Sequence, residues 1–145
     1  MINEAQVATL DGLVPQDAAE LAKRLDTLDA EIMRGAIAER FFPKLKLQQV
    51  LVEATALHSF FAGRYWKWKA IHDNQEVEAY ITLKNAASMN SEKFVSASAE
   101  REAAYAVREV NYVVGFYQGN LVRCQEYINT CKKLLETIEK EEQAQ

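Results

Sequence analysis

The feature that most constrains this chain is an apolar heptad pattern in its last third. Apolar side chains recur there at alternating spacings of three and four residues, without interruption. They are Val107, Val110, Val114, Tyr117, Leu121, Cys124, Ile128, Cys131, Leu135 and Ile138. Such a repeat is typical of a long helix that packs as in a coiled coil or a long bundle. It predicts one helix over residues 91–140, which Ser91 opens.

This helix is longer than any other that the sequence predicts, so part of its apolar seam needs a further partner. The most economical partner is a second copy of the same helix, because most oligomers of soluble proteins are built from identical chains. We therefore expect a homo-oligomer whose interface consists of the ten heptad residues.

A second apolar stripe predicts a helix over residues 16–40. Leu21, Leu25, Leu28 and Ile32 follow one another at spacings of four, three and four, and the other positions are largely charged. The preceding Pro15 suits the start of a helix because its φ is fixed. Pro43 then ends the pattern, because proline cannot continue a helix interior.

Two more helices are predicted between this first helix and the heptad helix. Apolar residues keep helical spacing over residues 44–72, where Gly63 is expected to weaken or bend the helix. Asp73-Asn74 is a good stop signal, and Asn74 suits the cap of a short helix over 75–86. The sequence thus predicts an all-α fold in one domain over residues 1–145. We expect a helical hairpin or bundle with a long, coiled-coil-like C-terminal helix.

Composition and motifs favour a binding protein over an enzyme. The chain has five Gly and two Pro with 49% hydrophobic residues, as in helical proteins, and no apolar run approaches the roughly 20 residues of a membrane span. The first residues lack the features of a secretory signal, so we expect a cytoplasmic location and no membrane partner. Cys124 and Cys131, with His58 and His72, lack the spacing of a zinc site. We see no catalytic motif and expect no cofactor or metal.

Charge is unevenly distributed along the chain, whose net charge is −4. Residues 40–69 carry six cations against Glu53 alone, a net charge of +5, whereas residues 1–39 carry a net charge of −5. The six cations are Arg40, Lys44, Lys46, Arg64, Lys67 and Lys69. A basic segment inside an acidic chain is a local electrostatic feature that can attract an anionic partner.

Both tryptophans of the chain coincide with this basic segment. Residues 64–69, which we call the basic aromatic segment, read Arg64, Tyr65, Trp66, Lys67, Trp68 and Lys69. Flat rings beside cations suit single-stranded nucleic acid, because bases stack on the rings and cations follow the phosphates. We therefore predict a nucleic-acid site there, supported by Arg40, Lys44 and Lys46. A protein interface, or packing of the rings in the core or at a membrane surface, would explain the same residues. The aromatic side chains of this segment point in different directions around the helix and cannot all lie in one core. At least one tryptophan should therefore be at a surface.

The order of these elements resembles the UvsY-type phage recombination mediators over about residues 45–138. The resemblance rests on Phe60-Phe61-Ala62-Gly63-Arg64 at the end of a basic helix, a short middle helix, and Val95-Ser96-Ala97-Ser98-Ala99-Glu100 before the heptad seam. Proteins of this family are all-helical oligomers that load a recombinase onto single-stranded DNA coated by a single-strand-binding protein. The family tends to carry a Lys-x-Arg pair where this chain has Thr55-Ala56-Leu57. The resemblance therefore implies that residues 64–69 supply the charge that binds the strand.

The first functional hypothesis is accordingly a cytoplasmic homo-oligomer that binds single-stranded DNA and assists recombinase loading. The main alternative is a helical protein-interaction module anchored by Trp66 and Trp68, such as a phage inhibitor of a host nuclease or defence complex. A third is an assembly subunit whose only role is its coiled coil.

Overall fold

A computed structural model describes residues 14–38 and 44–145, which form four helices and no strand. In chain order these are α1 (Gln16–Ala38), α2 (Lys44–Met89), α3 (Ser96–Ala106) and α4 (Arg108–Ala144). The all-α fold class is confirmed for these residues. Arg40 and Pro43, which the sequence analysis singled out, lie outside them.

Helix α1 follows the predicted stripe. The carbonyl of Pro15 accepts a hydrogen bond from the N–H of Ala19 at 3.0 Å, which closes the first turn. Leu25 and Leu28 are fully buried, and Leu21 is half-buried. Spacings of three and four therefore place these leucines on the inner side of the helix, as expected for an amphipathic element.

Helix α2 is continuous over 46 residues, so the predicted stop at Asp73-Asn74 and the separate helices over 44–72 and 75–86 are wrong. Asp and Asn are only slightly less favourable in a helix than the best helix formers, by well under ~1 kcal/mol each. The Asp73 carboxylate also lies 3.5 Å from Lys69 Nζ, one turn earlier, and 3.0 Å from His72 Nδ1. The pair with Lys69 spans one helical turn and is therefore compatible with a continuous helix at Asp73. The helix also continues through Gly63.

The single helix predicted over residues 91–140 is wrong as well, because the region forms α3 and α4. The two helices meet at Val107, which has φ −102° and ψ 15°. Ser91 does not open a helix: it has φ 53° and belongs to the turn that ends α2. Helix α3 begins five residues later, at Ser96, after Val95 in an extended conformation.

The described residues form two compact units. One unit holds Pro15–Gly63 and Tyr117–Gln145, and the other holds Arg64–Phe116. Helices α2 and α4 contribute residues to both units, and a single domain over residues 1–145 stays a prediction.

Three helices meet in the first of these units. Arg24 of α1 donates two hydrogen bonds to the Glu53 carboxylate of α2, and Arg123 of α4 donates to Asp26 of α1. The core between them contains Phe61 and Tyr117, whose ring centroids are 6.4 Å apart. Lys44 Nζ lies 3.1 Å from a Glu142 oxygen and Phe61 meets Tyr117, so the parts of α2 and α4 in this unit run antiparallel.

The heptad seam belongs to the core of the chain itself. Six of its ten residues are buried without any second copy: Val107, Val114, Tyr117, Cys124, Ile128 and Cys131. The other four are half-buried: Val110, Leu121, Leu135 and Ile138. An oligomer was predicted because no other helix expected from the sequence was long enough to cover the seam. That premise is wrong, since α2 is longer than α4. Homo-oligomerisation stays a prediction, but the heptad seam no longer supports it.

Candidate nucleic-acid interface

The basic aromatic segment lies in the middle of α2, in the unit that contains Arg64–Phe116. Phe61, one turn earlier, is fully buried and marks the inner side of the helix. At 3.6 residues per turn, Tyr65 and Trp68 lie near that inner side, and both are half-buried. Trp66 lies on the opposite side. The segment therefore divides its rings between the interior and the surface.

Trp66 is the exposed ring of the segment. It keeps 64% of its surface exposed, and its ring forms an edge-to-face pair with the Tyr65 ring, with the two centroids 5.1 Å apart. The prediction that at least one tryptophan lies at a surface is thus confirmed. Gly63 and Ala70, on the same side of the helix, have no bulk to cover the indole. An indole with this much exposed surface can accept a flat partner.

The three cations of the segment differ in their surroundings. Lys67 is exposed and lies beside Trp66 on the outer side of α2. Lys69 is half-buried and forms an ion pair with Asp73 one turn later, with Nζ and the carboxylate oxygen 3.5 Å apart. Arg64 is also half-buried, closer to the inner side. Lys67 and Lys69 therefore flank the exposed ring, and Arg64 is set back from it.

An acidic stretch follows the basic aromatic segment directly. His72 lies between Asp73 and Glu76, with Nδ1 3.0 Å from the Asp73 carboxylate and Nε2 3.7 Å from that of Glu76. The hydrogen bond with His72 lowers the pKa of the Asp73 carboxyl below its usual value, and the charge of Lys69 lowers it further. Glu78 is exposed one turn beyond Asn74. The positive charge therefore ends abruptly at residue 69.

The supporting cations predicted from the sequence are not gathered around Trp66. Lys44 and Lys46 belong to the other compact unit, where they form ion pairs with Glu142 at 3.1 Å and Glu31 at 3.5 Å. Arg40 lies outside the described residues. Of the nine predicted residues, the structure brings together the six of the basic aromatic segment.

Sequence reasoning missed the apolar residues that share the outer side of α2 with Trp66. Val77 is 56% exposed and Ile81 is 48% exposed. Trp66, Ala70, Val77 and Ile81 follow one another at spacings of four, seven and four, which keeps them within about 60° around a helix of 3.6 residues per turn. The signal was present in the sequence, but the predicted stop at Asp73-Asn74 placed both Val77 and Ile81 on a separate helix over 75–86.

The same unit contains a groove of about 380 Å³ lined by Asp73, Glu76, Val77, Tyr80, Glu100 and Ala103. Its carboxylates make it unsuitable for a phosphate. Within residues 14–38 and 44–145, no group of three or more His, Cys, Asp or Glu side chains could hold a metal ion. Over the same residues, no helix has a stretch long and apolar enough to cross a membrane.

Comparison with known proteins places the chain in no family. No family model matches it, and neither a characterised protein nor a solved structure matches it significantly.

Proposed function

We propose that this protein binds single-stranded DNA on the outer side of α2, at Trp66, Lys67 and Lys69. The observation that carries the proposal is the exposure of Trp66, which is 64%, beside an exposed lysine. A stacked base contributes about 1–3 kcal/mol, and stacking tolerates any base because every base has an aromatic face. Single strands suit such a site because their bases are not held in base pairs and can stack on a protein ring.

The ion pair between Lys69 and Asp73 does not prevent phosphate binding. The Lys69 side chain keeps 41% of its surface exposed and the Asp73 side chain 55%, so solvent reaches the pair. Exposed ion pairs contribute at most about 1 kcal/mol, so a phosphate can replace the carboxylate at low cost. Lys67 and Lys69 can thus contact phosphates on either side of a base stacked on Trp66.

The acidic stretch limits this site to a short segment of the strand. Asp73, Glu76 and Glu78 follow the lysines along α2 and repel a phosphate backbone that continues in that direction. The expected binding is therefore weak for one copy, nearly independent of base sequence, and strongly dependent on salt. Several copies on one strand would raise the affinity.

The biological role that fits such binding is that of a non-enzymatic recombination accessory protein. A protein that holds a strand weakly can pass it from a single-strand-binding protein to a recombinase, as the resemblance to the UvsY-type mediators implies. A cytoplasmic location and contacts with those two proteins belong to this proposal.

The proposal is tested by fluorescence anisotropy of a labelled single-stranded oligonucleotide at several salt concentrations. Trp66→Ala should weaken binding by about fivefold to a hundredfold, which corresponds to the loss of one stacked base. Replacement of Lys67 and Lys69 by Ala should make the salt dependence less steep, by about 0.7 in the logarithmic slope for each phosphate that a lysine no longer neutralises. The matched control replaces two exposed lysines of α4, Lys132 and Lys133.

Wild-type binding that is absent at low salt, or that the control variant reduces as much as the Lys67 and Lys69 variant, would refute the proposal. A strand-loading role needs a further assay, in which a recombinase assembles on a strand coated by single-strand-binding protein. The chain should shorten the lag of that assembly, and Trp66→Ala should abolish the effect.

A protein-interaction role is the second candidate, and the exposed Val77 and Ile81 favour it. An interface built around an aromatic anchor is typical of protein partners. Trp68 is only half-buried in the chain itself and is a weaker anchor than Trp66.

A further inference from the structure

The outer side of α2 carries its charges in a pattern that is complementary to itself. Trp66, Ala70, Val77 and Ile81 form an apolar stripe there, which we call the outer stripe. The stripe is interrupted by Asp73 and is bordered by cations near its start and by anions near its end, where Glu76 and Val77 also line the groove beside Glu100 of α3. The pattern calls for a partner helix that runs in the opposite direction, because only then does each cation meet an anion.

The borders of the outer stripe can be assigned from the helical geometry. At about 100° per residue, Lys67 and Glu78 lie on one border and Lys69 and Glu76 on the other. Glu76 and Lys69 keep 40% and 41% of their side-chain surface exposed, and Lys67 and Glu78 are exposed. All four can therefore reach a neighbouring helix.

We propose that two copies of this chain associate through their outer stripes, with the two α2 helices antiparallel and a two-fold axis between residues 72 and 73. In an antiparallel pair each border faces the same border of the other helix. The midpoint of Lys67 and Glu78 lies between residues 72 and 73, and so does the midpoint of Lys69 and Glu76. One axis therefore brings both borders into register, and the contact contains four ion pairs.

The same axis also places the apolar residues. It sets Trp66 level with position 79 of the second copy, which is midway between Val77 and Ile81. The Trp66 ring then faces the gap between two residues that are one helical turn apart. This is the knobs-into-holes arrangement, in which a large side chain of one helix inserts between residues of the other. Of the apolar residues in the stripe, Ala70 lies closest to the axis and is small enough for the helices to approach. Ion pairs and packing thus agree on one register.

Asp73 lies near the axis on both copies, where two carboxylates would repel each other. Lys69, which also faces Glu76 of the second copy, lies 3.5 Å from this carboxylate, and the hydrogen bond with His72 at 3.0 Å offsets a further part of its negative charge. The repulsion across the axis is therefore reduced.

This inference goes beyond DNA binding and does not depend on it. Because Trp66 would serve both surfaces, the second copy and a stacked base exclude each other. Addition of a single strand should dissociate the pair if both proposals hold.

The test is sedimentation velocity of the full chain, without nucleic acid, across a wide concentration range at low salt. The wild type should form a dimer as its concentration rises. Two variants reverse one set of charges each: one replaces Lys67 and Lys69 by Glu, and the other replaces Glu76 and Glu78 by Lys. Each variant alone should remain a monomer because the facing borders then carry like charges. An equimolar mixture should recover a dimer that contains one chain of each.

A cross-link tests the register. Asp73→Cys places two thiols beside the axis, and a short bifunctional maleimide should join them into a covalent dimer. The native cysteines do not interfere, because Cys124 and Cys131 are fully buried. Gln125→Cys, exposed on α4, is the control and should remain uncoupled.

Several results would overturn the proposal. They are a wild type that stays monomeric at every concentration, a dimer that both charge-reversed variants retain, and a mixture of the two that stays monomeric. Circular dichroism confirms that each variant keeps its helices, so that a misfolded chain is not counted as a monomer. Strand binding by a wild type that never dimerises would leave the proposed function intact and remove only this inference.

Discussion

The turn that ends α2 contains a residue in an unfavourable conformation, and its replacement should stabilise the protein. Ser91 has φ 53°, in the left-handed region. The N–H of Glu92 donates to the carbonyl of Ala87 at 2.9 Å, and that of Ser91 donates to the carbonyl of Ser88 at 3.3 Å. This pair of hydrogen bonds is the Schellman arrangement, whose left-handed position is usually occupied by glycine. We expect Ser91→Gly to raise the free energy of unfolding.

The magnitude follows from two opposing contributions. The left-handed conformation costs a residue with a Cβ about 1–2 kcal/mol, and glycine avoids that cost. Glycine is more flexible in the unfolded chain, which reduces the gain by about 0.5–1 kcal/mol. The net stabilisation therefore lies between about 0 and about 1.5 kcal/mol, centred on about 0.7 kcal/mol, which corresponds to about 2 °C in Tm for a chain of this size.

Thermal and urea denaturation followed by circular dichroism measure this effect. The matched control is Ser88→Gly, because Ser88 is also an exposed serine but lies within α2. Glycine inside a helix is unfavourable by up to about 1 kcal/mol, so the control should lower Tm. The reasoning would be refuted if Ser91→Gly lowered Tm, or if both substitutions changed it in the same direction.

Three further predictions concern the core and the ion pairs around it. Phe61→Ala should reduce the free energy of unfolding by about 3–5 kcal/mol, because Phe61 is fully buried. Urea denaturation measures this loss, and a loss below about 1 kcal/mol would contradict the burial of Phe61. Glu53→Gln should cost up to about 1 kcal/mol at neutral pH, since solvent screens its partly exposed pair with Arg24. The hydrogen bond from Arg24 lowers the pKa of Glu53, so its stabilisation is present above the unfolded pKa and is lost as the pH falls through the folded one. Stability curves of wild type and variant should therefore converge in acid, and a constant difference would contradict this. Burial raises the pKa of Cys124 to about 11 and also raises the pKa of Cys131. Both thiols should therefore react with Ellman's reagent only after the chain unfolds. Prompt labelling of the native chain would contradict this, because it would show that the thiols are accessible.

Much of the candidate site was predictable because it depends on spacing alone. Trp66 and Trp68 are two residues apart on a helix, so they lie on different sides, and one of them had to leave the core. Which one is exposed depends on where Phe61 packs, and that is a tertiary contact. The ion pairs that occupy Lys44 and Lys46 join residues far apart in the chain, so no local pattern could predict them.

The sequence by itself determined that the chain is helical and which side of each helix is apolar, because both follow from residue spacing within a few turns. Only the tertiary structure decided where helices end and what covers the heptad seam. Asp73-Asn74 is a stop signal of well under ~1 kcal/mol per residue, which side-chain partners and packing readily outweigh. Helices α2 and α4 meet at Lys44 and Glu142 and at Phe61 and Tyr117, and packing within one chain buries six residues of a seam that the sequence pattern alone assigns to a second copy.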